Sequence, residues 1–226
     1  SNQYNYTDRT YVAWNWKANG AGSANTDGSI NSTVSVNATS GFSIVSYTGT
    51  GAIATVGHGL GTVPKMIFVK NRSAGDSWTV GSHQLGTKDW TDQLQLENNS
   101  AFVDTATPWN DTAPTSSVFT IGTGNNVNRN TSNFIAYLWA EVEGYSKIGS
   151  YKGNGSADGP FCFTSFSPSY VILKKVSAAA NWRSHTSGNR TPPDINGVGA
   201  RIEFTTGEET TSTSAYDIDF LSNGFK

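Results

Sequence analysis

Cysteine is nearly missing from this chain, with one residue, Cys162, in 226. A single thiol excludes an internal disulfide framework and any cysteine-based metal cluster within one chain. Methionine also occurs once, and Ala, Leu, Glu and Lys are sparse or clumped, so good helix formers are in short supply. No window of a dozen residues keeps a 3.6-residue apolar period, which leaves room for a short helical turn at most. Charge is low as well. The 15 basic and 17 acidic side chains leave a formal net charge of −2, so nothing in the electrostatics calls for nucleic acid or an anionic membrane. No apolar run approaches the ~18 residues of a membrane span, so no membrane insertion is expected. The first residues lack the charged and apolar regions of a signal peptide.

What is present points one way. Gly, Ser, Thr and Asn number 24, 27, 27 and 21, together 99 of 226 positions. The 7 Trp, 9 Tyr and 11 Phe carry too much apolar surface to leave in water, which excludes disorder. Short alternating runs separated by Gly, Asn, Asp, Ser and Pro recur from end to end, as in all-β proteins. The alternation predicts strands at Tyr11–Trp16, Phe42–Thr48, Lys65–Lys70, Leu94–Glu97 and Val118–Ile121. Further strands are predicted at Phe134–Val142, Lys147–Lys152, Tyr170–Lys175 and Asp217–Leu221.

The chain also repeats itself. Ser46-Tyr47-Thr48-Gly49-Thr50-Gly51 matches Ser150-Tyr151-Lys152-Gly153-Asn154-Gly155 at an offset of 104. Pro64–Lys70 matches Pro168–Lys174, and Trp78 matches Trp182, at the same offset. The expected architecture is therefore two homologous antiparallel β-sandwich (jelly-roll-like) units, at 42–144 and 145–226. An N-terminal strand and linker would fill 1–41. Phe134-Ile135-Ala136-Tyr137-Leu138-Trp139 closes the first unit, whereas the second lacks its own closing strand. Tyr11-Val12-Ala13-Trp14-Asn15-Trp16 is the same strand at the other end of the chain, at an offset of 123. An aromatic edge strand invites pairing, so Tyr11, Val12, Trp14 and Trp16 are expected to take part in strand exchange or oligomer formation.

These motifs carry a resemblance. The strings Tyr11–Lys17, Asn25–Ile30, Gly41–Gly51, Val56–Gly61, Pro64–Ile67 and Val69–Arg72 resemble a repeated β-rich module of unassigned function found in marine bacteriophage proteins. So do Ala140–Lys147, Tyr151–Gly155, Asp158–Phe161 and Asp219–Lys226, and together they span nearly the whole chain. Such modules occur in tail-fibre-like and other virion proteins, often near concanavalin-like (LamG-like) domains. The resemblance implies a virion localisation, a structural or adhesive role and no catalytic residue. Partners would be other copies, other virion subunits or a host surface glycan.

Candidate sites each have a plainer alternative. Trp90 and Trp109 lie in polar stretches, the latter followed by Asn110 and Asp111. An exposed Trp beside Asn and Asp suits sugar stacking or a partner contact, whereas a Trp tucked over the sandwich end would serve the fold. Glu141 and Glu143, spaced i, i+2, would share one face of a strand end. Paired carboxylates of that kind belong to glycoside hydrolysis, here a polysaccharide depolymerase, but also to ordinary solvated charge. Asp217 and Asp219 have the same spacing and form a weak Ca²⁺ candidate lacking further ligands. His58, His83 and His185 are dispersed and read as loop or packing residues. The glycines at 49–51 and 153–155 precede no helical pattern, so they read as turns rather than a phosphate loop. No cofactor is expected. The function expected is a tail-fibre or surface module that binds receptor or glycan non-covalently. Its alternative is a purely structural capsid-decoration or fibre-shaft protein.

Overall fold

The computed structural model describes residues 7–8, 13–84, 90–156, 158–187, 201–203, 209–210 and 218–226, of which 201–203 and 209–210 are described by backbone alone. Strand is the dominant element. The only helical turns among the described residues are a 3₁₀ turn at Ala38–Ser40 and a single α turn, α1, at Asn125–Asn128.

An eight-stranded antiparallel sheet forms the centre. Its strands are β1 (Ser23–Asn25), β2 (Ser32–Asn37), β3 (Phe42–Thr48), β5 (Met66–Asn71), β6 (Thr79–Ser82), β7 (Asp92–Gln95), β8 (Val103–Asp104) and β10 (Asn133–Trp139). They lie in the order β1-β2-β3-β10-β5-β6-β7-β8, which inserts β10 between β3 and β5. Phe134 is thereby opposite Tyr47 on one side and Asn71 on the other. Alternation in β10 turns Phe134, Ala136 and Leu138 to one face and Tyr137 and Trp139 to the other.

The first face is covered by the antiparallel pair β4 (Ala54–Gly57) and β9 (Val118–Ile121). Val45, Tyr47, Ile67, Val69 and Phe134 of the sheet meet Val56, Phe119 and Ile121 of the cover in the main core. Burying side chains of this size contributes ~1.5–3 kcal/mol each, so this layer dominates the stability of the fold. Tyr47 shows how its polar atoms are handled. Its ring stacks on Phe134 at 5.3 Å, and its hydroxyl donates to the Val127 carbonyl at 2.7 Å. Burial pushes the Tyr47 phenol well above its ordinary pKa.

The second face carries Met66, Phe68, Trp78, Val80, Leu94, Tyr137 and Trp139, and residues from the C-terminal part of the chain cover it. Trp182, Ile172 and Val176 pack there, and the Trp182 indole donates to the Gln95 carbonyl at 2.9 Å. Ile172 lies on, and Val176 and Trp182 lie in the connection between, the first two strands of a second sheet, of β12 (Tyr170–Leu173), β13 (Arg183–Thr186), β14 (Arg201–Glu203) and β15 (Glu209–Thr210) in that order. A three-stranded sheet of β11 (Cys162–Phe163), β17 (Gly224–Phe225) and β16 (Phe220–Leu221) completes the architecture. Val171 and Leu173 pack against Ile218, Phe220 and Phe225 in a small third core.

The all-β expectation holds, and the offset of 104 has structural content. It carries the Met66↔Ser82 to Val69↔Thr79 register of β5 and β6 onto the Tyr170↔Thr186 to Leu173↔Arg183 register of β12 and β13. In both places an antiparallel meander of four strands follows, β5–β8 and β12–β15. Other expectations change. Lys147–Lys152 forms no strand. Its counterpart β3 is held between β2 and β10, and nothing among the described residues stands in those places for 147–152. Instead the Ile148 amide donates to Glu141 and the Ser150 amide to Gln84. The N-terminal stretch is not all linker either, since β1 and β2 are strands of the central sheet. Ala13–Trp16 makes no ladder pairing, and Tyr11 and Val12 lie outside the described residues.

Candidate interaction surface

Trp90 and Trp109 are buried. Trp109 is 1% exposed and packs edge-on against Trp90 at 5.7 Å, and both belong to the main core. Two consecutive left-handed residues, Asn110 (φ 52) and Asp111 (φ 47), turn the chain away immediately after Trp109. Space for the indole comes from Gly81 of β6, where a Cβ would lie 2.6 Å from indole carbons. No ring face is left on either tryptophan for a sugar. Asn110 and Asp111 shape the turn.

The carboxylate pairs come apart in a similar way. The chain reverses after Glu141, with Val142 bridging to Ser146, so Glu141 and Glu143 do not share a strand face. Glu141 Oε1 accepts from the Ile148 amide at 2.9 Å, and Oε2 lies 3.5 Å from Lys147 Nζ. Asp217 lies outside the described residues. Asp219 exchanges two backbone hydrogen bonds with Lys226 at 2.8 and 3.1 Å. Among the described residues, no group of three or more His, Cys, Asp or Glu is arranged to hold a metal ion, and no helix is long and apolar enough to cross a membrane. Cys162 is half-buried, and burial pushes its thiol up.

His58 is an internal staple. Its Nδ1 accepts from the Leu60 amide at 3.2 Å, which leaves Nε2 as the donor to the Thr115 carbonyl, also at 3.2 Å. Burial holds its pKa below the ordinary imidazole range, against weaker opposing pulls from the Thr115 carbonyl and Asp27. The unfolded chain then binds a proton near pH 6.5 that the folded chain refuses. The staple's contribution is complete above that pH and shrinks as pH falls from about 6.5 towards the folded value. Urea midpoints should therefore drop between pH 7.5 and 5.0 by more in the wild type than in His58→Gln. Parallel pH profiles for the two proteins would contradict the assignment.

A different set of aromatics faces solvent. Phe161 and Phe163 flank Cys162 at 50% and 62% exposure, their rings 6.5 Å apart, and Tyr151 is 51% exposed with its ring 6.1 Å from Phe225. Phe161 and Phe163 form an exposed apolar pair of the kind that marks an interaction site, whereas Tyr151, against Phe225, belongs to the Cys162 side of the small sheet. Phe163 lies on β11 and Phe161 just before it, and the Phe161 ring lies over Gly224, the cross-strand partner of Phe163, so the two rings share one side. This patch went unnoticed in the sequence because β11 is short and its neighbours Asp158-Gly159-Pro160 read as a turn. Tyr151, on the other side of that sheet, stands at the repeat position of the buried Tyr47.

No curated protein and no solved structure matches the chain. A family model does match, over residues 1–226. The chain therefore belongs to the DUF7483 family, a domain of unknown function.

Proposed function

We propose that this chain is a non-catalytic module of a virion, a tail-fibre or surface protein that holds a host receptor or glycan by non-covalent contact. The observation that carries the reading is the adjacent pair Phe161 and Phe163, whose rings are more exposed than a lone solvated domain requires. A near-neutral surface rich in Asn, Thr and Ser supplies hydrogen-bonding groups around such rings without long-range charge. The resemblance to phage fibre-like modules gives the context. A purely structural role, as a capsid-decorating or fibre-shaft protein, is favoured by one detail. Both rings are phenylalanines, which offer no hydrogen bond to a sugar and suit an apolar protein neighbour.

The test is a glycan array probed with the wild type and with Phe161→Ser/Phe163→Ser, folding being checked by thermal unfolding. Specific binding that falls roughly tenfold or more in the variant, about 1.4 kcal/mol, supports the receptor reading. No glycan signal, with a defined oligomer in light scattering that the variant dissociates, supports the structural role. A monomeric wild type without glycan signal, or turnover of polysaccharide, would overturn the proposal.

A further inference from the structure

The two meanders differ at one edge. On β5 the side away from β6 is filled by β10, whereas on β12 the side away from β13 carries no strand among the described residues. The hydrogen bonds fix which groups face that side. The Ser187 amide donates to the Ser169 carbonyl at 3.0 Å, as the His83 amide donates to the Lys65 carbonyl at 3.0 Å in the first meander. Antiparallel alternation then turns the backbone N–H and C=O of Tyr170 and Ile172 to the open side, as it turns those of Met66 and Phe68 to β10. An unpaired row of this kind is a template for another strand. Tyr151 also differs from its repeat counterpart, Tyr47. Tyr47 is 4% exposed with Phe134 of β10 stacked on it, whereas Tyr151, whose ring neighbour among the described residues is Phe225, is 51% exposed.

A matching strand exists in this chain. Ala13-Trp14-Asn15-Trp16 repeats Ala136-Tyr137-Leu138-Trp139, and Trp139 is the cross-strand partner of Met66. The repeat counterpart of Met66 is Tyr170. The rings of Trp14 and Trp16 lie 5.2 and 6.2 Å from Tyr170. Trp16 also packs on Phe42 and Trp139, at 6.5 and 6.1 Å, so it stands beside both the first closing strand and the open edge of β12.

We propose that the open edge of β12 is the lane for a closing strand, and that its occupant is the chain's own segment bearing Trp14 and Trp16. The strand runs antiparallel to β12, with Trp16 opposite Tyr170 and Trp14 opposite Ile172. This copies the register of β10 on β5. Cross-strand aromatic pairs then supply the side-chain part of the contact, and the Tyr170 and Ile172 backbones supply the ladder.

Paired cysteines test both occupant and register, in a Cys162→Ser background that removes the native thiol. Directly opposite residues in an antiparallel pair have Cα atoms ~4.5–5.5 Å apart, within disulfide reach. Trp16→Cys/Tyr170→Cys and Trp14→Cys/Ile172→Cys should each oxidise to an internal disulfide in a monomer, at a yield independent of protein concentration. The shifted pair Asn15→Cys/Tyr170→Cys should not. A disulfide-linked dimer would assign the lane to a second copy and overturn the proposal, as would failure of both in-register pairs to oxidise. Amide exchange serves should the cysteine variants misfold. Tyr170 and Ile172 amides should exchange roughly tenfold or more faster in Trp14→Ser/Trp16→Ser than in the wild type, while Val171, bonded to β13, keeps its rate. Equal rates at Tyr170 and Ile172 would sink the lane.

Discussion

Trp109→Ala should lower the unfolding free energy by about 3–5 kcal/mol, among the largest single-residue effects in the protein. The indole is 1% exposed, packs edge-on against Trp90 and lies directly on Gly81, so its removal leaves a cavity bounded by a rigid sheet. For a chain of this size the loss corresponds to a fall of roughly 6–20 °C in Tm. Trp109→Phe should cost less than half as much. The buried indole nitrogen has no hydrogen-bond partner, so the smaller ring forfeits volume but no polar contact. Gly81→Ala presses on the same contact from the other side. Its new Cβ would meet the indole at 2.6 Å, and either Trp109 or β6 must shift. Urea unfolding of the three variants decides the matter. A cost below about 1 kcal/mol for Trp109→Ala would mean the ring is not held in the core.

Asn128→Ala should be comparably damaging, by about 3–5 kcal/mol, through polar groups rather than volume. This buried side chain closes α1 onto the loop that follows β3. Its Oδ1 accepts from the Thr50 and Gly51 amides at 2.7 and 3.4 Å, and its Nδ2 donates to the Ala52 and Gly122 carbonyls at 2.6 and 2.8 Å. Truncation takes the partner from the Thr50 amide and the Gly122 carbonyl, while the Gly51 amide keeps the Asn128 carbonyl at 2.8 Å and the Ala52 carbonyl keeps the Thr50 hydroxyl at 3.1 Å, and each group left unpaired costs about 1–3 kcal/mol where it is buried. Asn128→Asp separates the two halves of the clamp. It keeps the acceptor for Thr50 and Gly51 but sets a carboxylate against two carbonyl oxygens. Relative to the wild type it should therefore be more stable at pH 4.5, where the carboxyl can be protonated and donate, than at pH 7.5. Chemical unfolding at the two pH values measures this. A pH-independent difference would show that the Nδ2 bonds contribute little.

Neither tryptophan nor asparagine showed its role in the local sequence, and the reason is the same for both. Strand alternation is a property of a few neighbouring residues, so Phe42–Thr48 and Val118–Ile121 coincide with β3 and β9 at both ends. The core position of Trp109 instead depends on Gly81, which is distant in sequence and brought close only by the sheet. Its polar neighbours Asn110 and Asp111 resembled a wet loop because they are the turn that points the ring inward. Ser32–Asn37 was missed as a strand for a related reason. It contains only two valines among Ser, Thr and Asn, and it is held in the sheet by its register with β3 more than by its own pattern. The repeat was legible in the β5–β6 and β12–β13 hairpins but misleading at Lys147–Lys152. A strand needs a neighbour as well as a pattern, and similarity to β3 could not supply one.

The position of β10 has a consequence for the order of folding. It joins two halves of the central sheet that come from separate parts of the chain, and its Asn133 bonds Thr48 across 85 residues. β3 and β5 cannot reach one another directly, because the lane between them belongs to a strand made later than either. Loop closure of this length must be completed before the central ladder is rewarded, which places the protein among slow, non-local folders. On a ribosome, the ladders of β1–β3 and of β5–β8 can form as separate hairpin assemblies. They become one sheet only after Trp139 has emerged from the exit tunnel.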